Sequence, residues 1–360
     1  MSKIRVGVVF GGRSGEHEVS LMSAKSIITA LDPDKYEIIP IAITKDGRWL
    51  GSKESLEMLD YNRHSDLSSA LAGNCRLDLS IVFNPTAEQK SLDVIFPVLH
   101  GPHGEDGTIQ GLLELANAAY VGAGVLGSAV SMDKAMMRVV LTQAGLPLTK
   151  WETVIRSKWE AEPDEIIKVI ENNIGYPCFV KPSNLGSSVG ISKADNRADL
   201  INALNTACEF DRRIVVEEAV YQPREIECSV LGNDQPIASI PGEIIPGNEF
   251  YDYEDKYISG KAQLIIPADL RPKQVKTIQE YAVRTFKAVD CAGMARVDFF
   301  ITQAEEILVN EINTIPGFTR ISMYPKLWEA SGIKYSQLLD RLIELAVERH
   351  QDHTRRRISL

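Results

Sequence analysis

The stretch Ala295-Arg-Val-Asp-Phe-Phe-Ile301, followed after a short polar turn by Ile307-Leu-Val-Asn-Glu-Ile-Asn-Thr-Ile-Pro-Gly317, is the most informative part of this 360-residue chain. Both arms are apolar and rich in β-branched and aromatic residues, which predicts a β-hairpin. Each arm also carries polar side chains at alternate positions. Because side chains alternate between the two faces of a strand, those polar groups are expected on one face.

The polar groups of this hairpin are expected to form one patch. Arg296 and Asp298 share a face of the first arm, and Glu311 and Asn313 share a face of the second. If the turn is centred between Ala304 and the next residue, Asp298 lies opposite Glu311. The same register places Arg296 opposite Asn313, whereas a slip of one residue would turn one arm's set to the other face. Two carboxylates and an amide suit Mg²⁺ and leave room for phosphates.

The bulk composition is that of a soluble globular protein of two or three domains, because 360 residues exceed what one hydrophobic core usually supports. A formal net charge of −10 argues against non-specific binding to nucleic acid or to anionic membranes. No apolar run could span a bilayer, and the N-terminus does not resemble a signal peptide. The five cysteines form no C-x-x-C pair, which predicts reduced thiols in a cytoplasmic protein: Cys75, Cys178, Cys208, Cys228 and Cys291.

The first 120 residues or so alternate strands with helices, as in one half of a doubly wound α/β sheet. Apolar runs at 4–10, 36–44 and 92–99 predict three strands. Ligands of such sheets bind at the carboxyl ends of the strands, where residues 11–20 and 100–107 follow. The acids within 11–20 also fit the alternative of charge–dipole placement in the first turn of a helix.

Two loops further along the chain are candidates for covering a site. Residues 183–189 are small and hydroxyl-rich between two short strands, and Lys181 stands at their root. Backbone N–H groups of such a loop can hold phosphate, although the loop also fits an ordinary β-turn. The segment Pro246–Tyr257 is long and rich in aromatic and charged residues, which is typical of a functional loop. We expect Lys256 to face inward from it.

A helix is expected to begin with Ser131 as its N-cap and to end before Gly145. Just before it, Gly122-Ala-Gly-Val-Leu-Gly127 matches the G-x-G-x-x-G pattern of dinucleotide sites. The acid that such sites place about twenty residues later is missing from residues 142–150. This disfavours a dinucleotide-dependent oxidoreductase, and the Walker pattern of a P-loop is absent from the sequence.

Six motifs in order resemble the D-alanine–D-alanine ligases of the ATP-grasp superfamily, and the resemblance extends from residue 4 to about residue 345. Each motif alone is weakly specific, but the ordered set is highly specific. The motifs are Gly11-Gly-Arg-Ser-Gly-Glu-His-Glu-Val-Ser20, Leu99-His-Gly-Pro-His-Gly-Glu-Asp-Gly-Thr-Ile-Gln-Gly111, Ser131-Met-Asp-Lys134, Val180-Lys-Pro-Ser-Asn-Leu-Gly-Ser-Ser-Val-Gly190, Tyr251-Asp-Tyr-Glu-Asp-Lys-Tyr257 and Asn310-Glu-Ile-Asn-Thr-Ile-Pro-Gly317.

The resemblance implies an α/β protein with an ATP-grasp fold in three domains. An N-terminal doubly wound α/β domain for substrate would comprise residues 1–122. An α+β lid domain would comprise residues 123–220. A C-terminal α+β domain would comprise residues 221–360, with an ω-loop at about 246–263 and the metal site. ATP would bind between the last two domains.

The resemblance also implies the roles of individual residues. Lys134 and Lys181 would contact the phosphates and Lys256 the γ-phosphate, with Glu217 and Glu225 on adenine and ribose. The ATP-binding set is Lys134, Lys181, Ser188, Glu217, Glu218, Ala219, Val220, Glu225, Lys256, Asn310 and Glu311. Two Mg²⁺ ions, which Mn²⁺ can replace, would be held by Asp298, Glu311 and Asn313. The catalytic set is Glu16, Ser187, Arg296, Tyr257, Ser322 and the Gly317 N–H, and the substrate-binding set is Glu16, His100 and Ser322.

The implied function is ATP-dependent joining of two D-alanines through an acyl phosphate, for peptidoglycan precursors, by a cytoplasmic homodimer without nucleic-acid or membrane partners. Arg296 and Gly317 would stabilise the oxyanion, and Glu16 would hold the first ammonium group through a link to Ser187 and Tyr257. One alternative is a D-alanine–D-lactate ligase, which Tyr257 disfavours. Another is a non-catalytic nucleotide-binding protein, which would be expected to lack the metal ligands or Arg296.

Overall fold

A computed structural model describes residues 3–61, 91–186, 188–246, 263–319 and 321–357. Within these ranges the chain forms three β-sheets, one in each of its N-terminal, central and C-terminal parts. The sheets are surrounded by helices, as the alternating apolar patterns predict. No helix in the described ranges combines the length and the apolarity needed to cross a bilayer.

The N-terminal sheet is parallel, and its strand order is β2–β1–β3. This agrees with the predicted alternation of parallel strands and helices. The loops after β1 and β3 therefore leave the same edge of the sheet, where predicted site residues Glu16 and His100 lie. The elements are β1 (Ile4–Gly11), α1 (His17–Ala30), β2 (Tyr36–Ile43), α2 (Ser52–Tyr61), β3 (Val94–Val98) and α3 (Thr108–Leu115).

The central part contains an antiparallel sheet of order β4–β7–β5–β6 with its own apolar core. Strands β5 and β6 flank residues 183–189, as predicted. The elements are α4 (Val125–Met132), α5 (Lys134–Gln143), β4 (Trp151–Ile155), α6 (Arg156–Ala161), α7 (Pro163–Asn173), β5 (Cys178–Pro182), β6 (Ser192–Ala194), α8 (Arg197–Phe210) and β7 (Arg213–Glu218).

The prediction that Ser131 caps a helix was wrong. Ser131 lies inside α4, and the next helix is capped by Asp133, whose carboxylate accepts hydrogen bonds from the N–H groups of Ala135 and Met136 at 3.1 Å each. Asp133 has an extended backbone, which separates the two helices. A carboxylate satisfies the free N–H groups of a first turn and also suits its positive dipole end.

The C-terminal sheet has the order β11–β10–β8–β12–β13, and β9 pairs with β8. Strand β12 is central, because it pairs with β8 on one side and with β13 on the other. The elements are β8 (Arg224–Gly232), β9 (Ile237–Ala238), β10 (Gly242–Ile245), β11 (Gln263–Ile265), α9 (Pro272–Ala288), β12 (Gly293–Ile301), β13 (Ile307–Asn313), α10 (Met323–Ala330) and α11 (Tyr335–Thr354).

The N-terminal and C-terminal sheets are joined by a continuous apolar core. Phe318 lies at its centre, with its ring 6.0 Å from Phe96 of β3 and 5.3 Å from Tyr324 of α10. Helix α11 contributes Leu338 and Leu342 to the same core. This packing holds the loops at the edge of the N-terminal sheet against the chain that follows β13.

The predicted register of the β12–β13 hairpin is confirmed at the site. Asp298 pairs with Glu311, and Arg296 pairs with Asn313. Nearer the turn, however, Ile301 pairs with Ile307, so the turn is centred on residue 304 rather than after it. An irregularity at Asn310 accounts for the difference, because one extra residue in β13 restores the pairing.

Candidate active site

The polar patch of the hairpin is assembled as the sequence predicted. The Arg296 guanidinium donates from Nε to Asp298 Oδ1 and from a terminal nitrogen to Asp298 Oδ2, both at 2.7 Å. The Asn313 side-chain amide donates to Asp298 Oδ2 at 3.0 Å. The side chains of Arg296 and Asp298 are each 14% exposed, so this ion pair is largely shielded from solvent and stronger than a surface pair.

Glu227 is a member of this patch that the sequence analysis did not identify. Strand β8 places it directly opposite Asp298, and its Oε2 lies 3.0 Å from Arg296 Nε. Its side chain is only 5% exposed. Glu227 stands two residues after Glu225 in a strand, so alternation puts both on one face. That spacing could have drawn attention to it.

The oxygen atoms of the patch are chemically suited to Mg²⁺. Asp298 and Glu311 supply carboxylates from paired positions, and Asn313 supplies an amide oxygen. No group of three or more acidic, histidine or cysteine side chains in the described ranges is arranged to hold a metal by itself. The remaining ligands would therefore be phosphate oxygens and water, which is usual for Mg²⁺ on a nucleotide.

A cavity of about 170 Å³ opens between the central and C-terminal sheets beside this patch. Most of the predicted ATP-binding residues line it. Ala219 is an exception among the residues at the end of β7, and its N–H donates to Pro177 O at 3.1 Å. The predicted residues on the cavity wall are Lys181, Ser188, Glu217, Glu218, Val220, Glu225, Asn310 and Glu311.

Glu217 is buried at the wall of this cavity, called the nucleotide cavity after its predicted ligand, and it lies between two cations. Its carboxylate forms ion pairs with Lys181 and with Arg138, which sequence analysis did not identify. Arg138 also donates to Thr149 Oγ1 at 3.1 Å. Burial lowers the pKa of Arg138 to about 10, so it remains a cation at neutral pH. The carboxylate therefore orders both cations, of which Lys181 lines the cavity.

The loop at residues 183–189 is anchored at the beginning of α5. Lys134 donates from Nζ to Leu185 O at 2.6 Å, and its backbone N–H donates to Ser183 O at 3.0 Å. The Ser183 hydroxyl donates to Asp133 at 2.5 Å. Lys134 is thus held against the loop by both its side chain and its backbone, and it lines the second cavity described below.

A second cavity, of about 140 Å³, lies beside the first, and Arg296 and Asn313 of the same hairpin line it. It adjoins the nucleotide cavity, because Ser188, Glu227 and Glu311 line both. The predicted substrate and catalytic residues on its wall are Glu16, His100, Arg296, Gly317 and Ser322.

Glu16 lies where the N-terminal part meets the 183–189 loop. A Cβ atom added to Gly186 would come within 3.0 Å of Glu16 Oε2, and one added to Gly101 within 2.7 Å. The predicted link from Glu16 through Ser187 to Tyr257 is not tested, because Ser187 and Tyr257 lie outside the described ranges. Lys256, with its predicted role on the γ-phosphate, lies outside them as well.

His100 is buried and neutral. Its Nδ1 lies 3.0 Å from Ile315 O, and a carbonyl can only accept, so Nδ1 carries the proton. Ser23 Oγ accepts from the Phe318 N–H and can donate to His100 Nε2 at 3.2 Å. Burial lowers the pKa of His100, although the nearby Glu16 carboxylate opposes this.

Ser322 is placed at a suitable position for binding a carboxylate. It is the N-cap residue of α10, and its Oγ lies 2.7 Å from Thr319 Oγ1 and 3.1 Å from the Thr319 nitrogen. The free N–H groups and the dipole at a helix N-terminus favour anions. The resemblance implies such an anion as the partner of Ser322, namely the carboxylate of the second D-alanine.

Comparison with known proteins identifies the family. The model of the D-ala D-ala ligase N-terminus matches residues 5–123, and that of the D-ala D-ala ligase C-terminus matches residues 140–344. The D-alanine–D-alanine ligase of Natranaerobius thermophilus is 50% identical over 358 residues, covering 99% of this chain and 98% of that protein. The corresponding protein of Geobacillus thermodenitrificans is 48% identical and covers 97% of both chains.

Solved structures agree with this assignment. The D-alanine–D-alanine ligase from Coxiella burnetii is 40% identical with a TM-score of 0.81, covering 99% of this chain and 97% of that chain. The VanG D-Ala:D-Ser ligase from Enterococcus faecalis is 37% identical with a TM-score of 0.82, covering 96% of this chain and all of the other. The chain has the ATP-grasp fold and belongs to the D-alanine–D-alanine ligase family.

Proposed function

We propose that this protein joins two D-alanines into D-alanyl-D-alanine for peptidoglycan precursors, converting ATP to ADP and phosphate. The observation that carries the proposal is the meeting of two cavities at one hairpin. The cavity with the buried Lys181–Glu217 pair receives the nucleotide, and the cavity with Glu16 and Ser322 receives the amino acids. The γ-phosphate and the first carboxylate would meet beside Glu311, which lines both cavities.

The first step activates a carboxylate. A carboxylate oxygen of the first D-alanine attacks the γ-phosphorus, and the bond from this phosphorus to the bridging oxygen of the β-phosphate breaks. ADP departs with that oxygen, and D-alanyl phosphate is formed. Lys134, Lys181 and Lys256 offset the charge of the phosphates. Two Mg²⁺ ions, which Mn²⁺ can replace, supply further charge compensation when bound at Asp298, Glu311 and Asn313.

The second step forms the amide. The free amine of the second D-alanine attacks the acyl carbon and gives a tetrahedral oxyanion, which Arg296 and the Gly317 N–H stabilise. The oxyanion collapses, inorganic phosphate leaves, and the nitrogen loses a proton. Uncatalysed hydrolysis of the acyl phosphate would waste ATP, so water must be excluded during both steps.

Positioning of the substrates follows from the charges of the second cavity. Glu16, with Ser187 and Tyr257, holds the first ammonium group, and His100 lies beside it as a neutral group. Ser322 and the N-terminus of α10 hold the second carboxylate. The ammonium group of the first amino acid and the carboxylate of the second are therefore held by different groups of the same cavity.

The proposal extends to the organisation of the protein. Residues 1–122 form the substrate domain, 123–220 the lid domain and 221–360 the C-terminal domain. The 183–189 loop and the ω-loop at about 246–263 close over the acyl phosphate. The protein acts as a homodimer in the cytoplasm.

Phosphate release by the purified protein, measured with ATP and Mg²⁺ in the presence and absence of D-alanine, tests the proposal. We expect D-alanine-dependent phosphate release with one dipeptide formed per phosphate. A protein that releases no additional phosphate with D-alanine would overturn the proposal. Equal formation of a D-lactate ester in a mixed-acceptor assay would instead identify a depsipeptide ligase.

A further inference from the structure

Residues of the N-terminal part form hydrogen bonds with both the N–H and the carbonyl of Ile315, just after the hairpin. The Ile315 N–H donates to Glu105 Oε1 at 3.0 Å, and Ile315 O accepts from His100 Nδ1 at 3.0 Å. The other oxygen of Glu105 accepts from the Gly101 N–H at 2.7 Å. Glu105 is therefore tied to its own loop while it holds a peptide of the C-terminal part.

A second attachment lies three residues further on. The Phe318 N–H donates to Ser23 Oγ at 3.2 Å, and Ser23 Oγ is also 3.2 Å from His100 Nε2. The Phe318 carbonyl accepts from the Tyr335 hydroxyl at 2.7 Å. Ser23, His100 and Glu105 thus form a connected clamp on two peptides of one short loop.

Only Pro316 and Gly317 lie between the two clamped residues. The ring of Pro316 fixes its φ angle, so one of the few backbone torsions that could still vary in this segment is held constant. Gly317 lines the same cavity as Arg296. The position of its N–H is consequently set by contacts that come from a different part of the chain.

We propose that Glu105 and Ser23, together with His100, are positioning residues that align the Gly317 N–H with Arg296 for the second step of ligation. This inference rests on the proposed function, because it assumes an oxyanion between those two donors. The clamp acts through the loop: the two hydrogen bonds of Glu105 named above are to backbone N–H groups, and its side chain also lines the cavity of Arg296 and Gly317. Its effect is greatest on amide formation, where the oxyanion develops.

Glu105→Gln is the decisive substitution. Glutamine has the same shape, but its amide nitrogen cannot accept a hydrogen bond, whereas both oxygens of a carboxyl group can accept in either protonation state, so one of the two N–H contacts is lost. Asp106→Asn is the matched control. Asp106 also accepts from two backbone N–H groups, those of His103 at 2.9 Å and Thr108 at 3.0 Å, but both belong to its own loop. Ser23→Ala removes the second attachment independently.

The readout is the number of phosphates released per dipeptide formed, measured with the Michaelis constants for ATP and D-alanine. We expect Glu105→Gln and Ser23→Ala to slow dipeptide formation by on the order of 10-fold to 100-fold, as small misplacements of a catalytic group do. Because the acyl phosphate then has a longer lifetime in the site, more of it is hydrolysed by water. The ratio of phosphate released to dipeptide formed therefore rises clearly above one. The Michaelis constant for ATP stays within about two-fold, and Asp106→Asn keeps the wild-type ratio.

The outcomes separate this inference from the proposed function. If the wild-type protein shows no D-alanine-dependent phosphate release, the proposed function fails. If it ligates normally but both variants keep a ratio of one, or if both steps slow equally, the clamp has no positioning role. Thermal unfolding of each variant identifies a folding defect, and Ser23→Ala decides the matter if Glu105→Gln does not fold.

Discussion

Arg296 and Asp298, two residues apart on strand β12, form a bidentate ion pair in which both N–O distances are 2.7 Å. The proposed oxyanion stabiliser, Arg296, and a bound metal ion would therefore compete for the carboxylate of Asp298. A cation that binds Asp298 shares this carboxylate with the Arg296 guanidinium, and the two positive charges repel each other. Glu227, whose Oε2 lies 3.0 Å from Arg296 Nε, is positioned to keep the guanidinium in place when this happens.

Replacing Arg296 with methionine should separate these two functions. We expect Mg²⁺ to bind the ADP complex more tightly, because a competing cation is lost among Asp298, Glu227 and Glu311. We expect turnover to fall by about 100-fold to 1000-fold, as when an oxyanion donor is removed. Calorimetric titration with Mg²⁺ and a turnover assay measure the two effects.

The control for this experiment is Arg341→Met, which removes a cation from an exposed pair with Glu344 and Glu348. It should change neither quantity. Weaker Mg²⁺ binding by Arg296→Met would contradict the idea that the guanidinium and the metal compete for Asp298.

Glu311→Gln tests the metal role of the hairpin. Its carboxylate faces Asp298 across the strand pair, and we expect its loss to reduce turnover by about 100-fold or more at limiting Mg²⁺, because weaker changes around a metal already cost 10-fold to 100-fold. The fold should remain intact by circular dichroism. Glu306→Gln, on the exposed turn of the same hairpin, serves as the control. Near-normal turnover of Glu311→Gln at limiting Mg²⁺ would refute the assignment.

Glu217→Gln should destabilise the protein markedly. The substitution leaves Arg138 and Lys181 facing each other without a buried counter-charge, and breaking such a pair costs about 3–5 kcal/mol. Urea unfolding of the two proteins measures the difference. Glu344→Gln on the surface should cost no more than about 1 kcal/mol. A loss of similar size in both variants would show that the buried pair has no special role.

Tyr257→Phe tests the choice of the second substrate. Removal of the hydroxyl would break the proposed link from Glu16 through Ser187, and we expect D-lactate then to compete with D-alanine as acceptor. Chromatography of products formed from equal amounts of the two acceptors measures the ratio of ester to dipeptide. If the variant still makes dipeptide alone, Tyr257 does not determine the acceptor.

The sequence predicted the hairpin site well because alternation and pairing are local properties. The register at Asp298 was right for a reason the sequence does not reveal. The turn lies half a residue earlier than expected, and the irregularity at Asn310 compensates. Both arms therefore present the expected face to the cavity.

Partners that come from distant parts of the chain could not be predicted in this way. Glu227 joins the site only through the β8–β12 pairing, and Arg138 joins through the packing of α5 beside β7. The contacts of Ser23 and Glu105 with the 315–318 loop depend on how two sheets pack together. Local patterns carry no information about such long-range contacts.

The final prediction concerns pH and Glu105. Burial, followed by the nearby Glu16 carboxylate, raises the pKa of Glu105 to about 8 from its ordinary value of 4.5. Between these two values the folded protein holds a proton that the unfolded chain has released. Raising the pH through this window therefore favours unfolding, and the contribution of Glu105 to stability should fall from about pH 4.5 to about pH 8.

Glu105→Gln removes the titrating group and should flatten this part of the stability profile. The urea midpoints of the variant and the wild type are measured at pH 5, 7 and 8.5. We expect the midpoint of the variant to rise relative to that of the wild type as the pH rises. Asp106→Asn should follow the wild-type profile, since the hydrogen bonds of Asp106 are to His103 and Thr108 of its own loop and not to Ile315. Parallel profiles for Glu105→Gln and the wild type would mean that Glu105 is already ionised at pH 5. In that case its two backbone N–H donors stabilise the carboxylate more than burial and Glu16 oppose it.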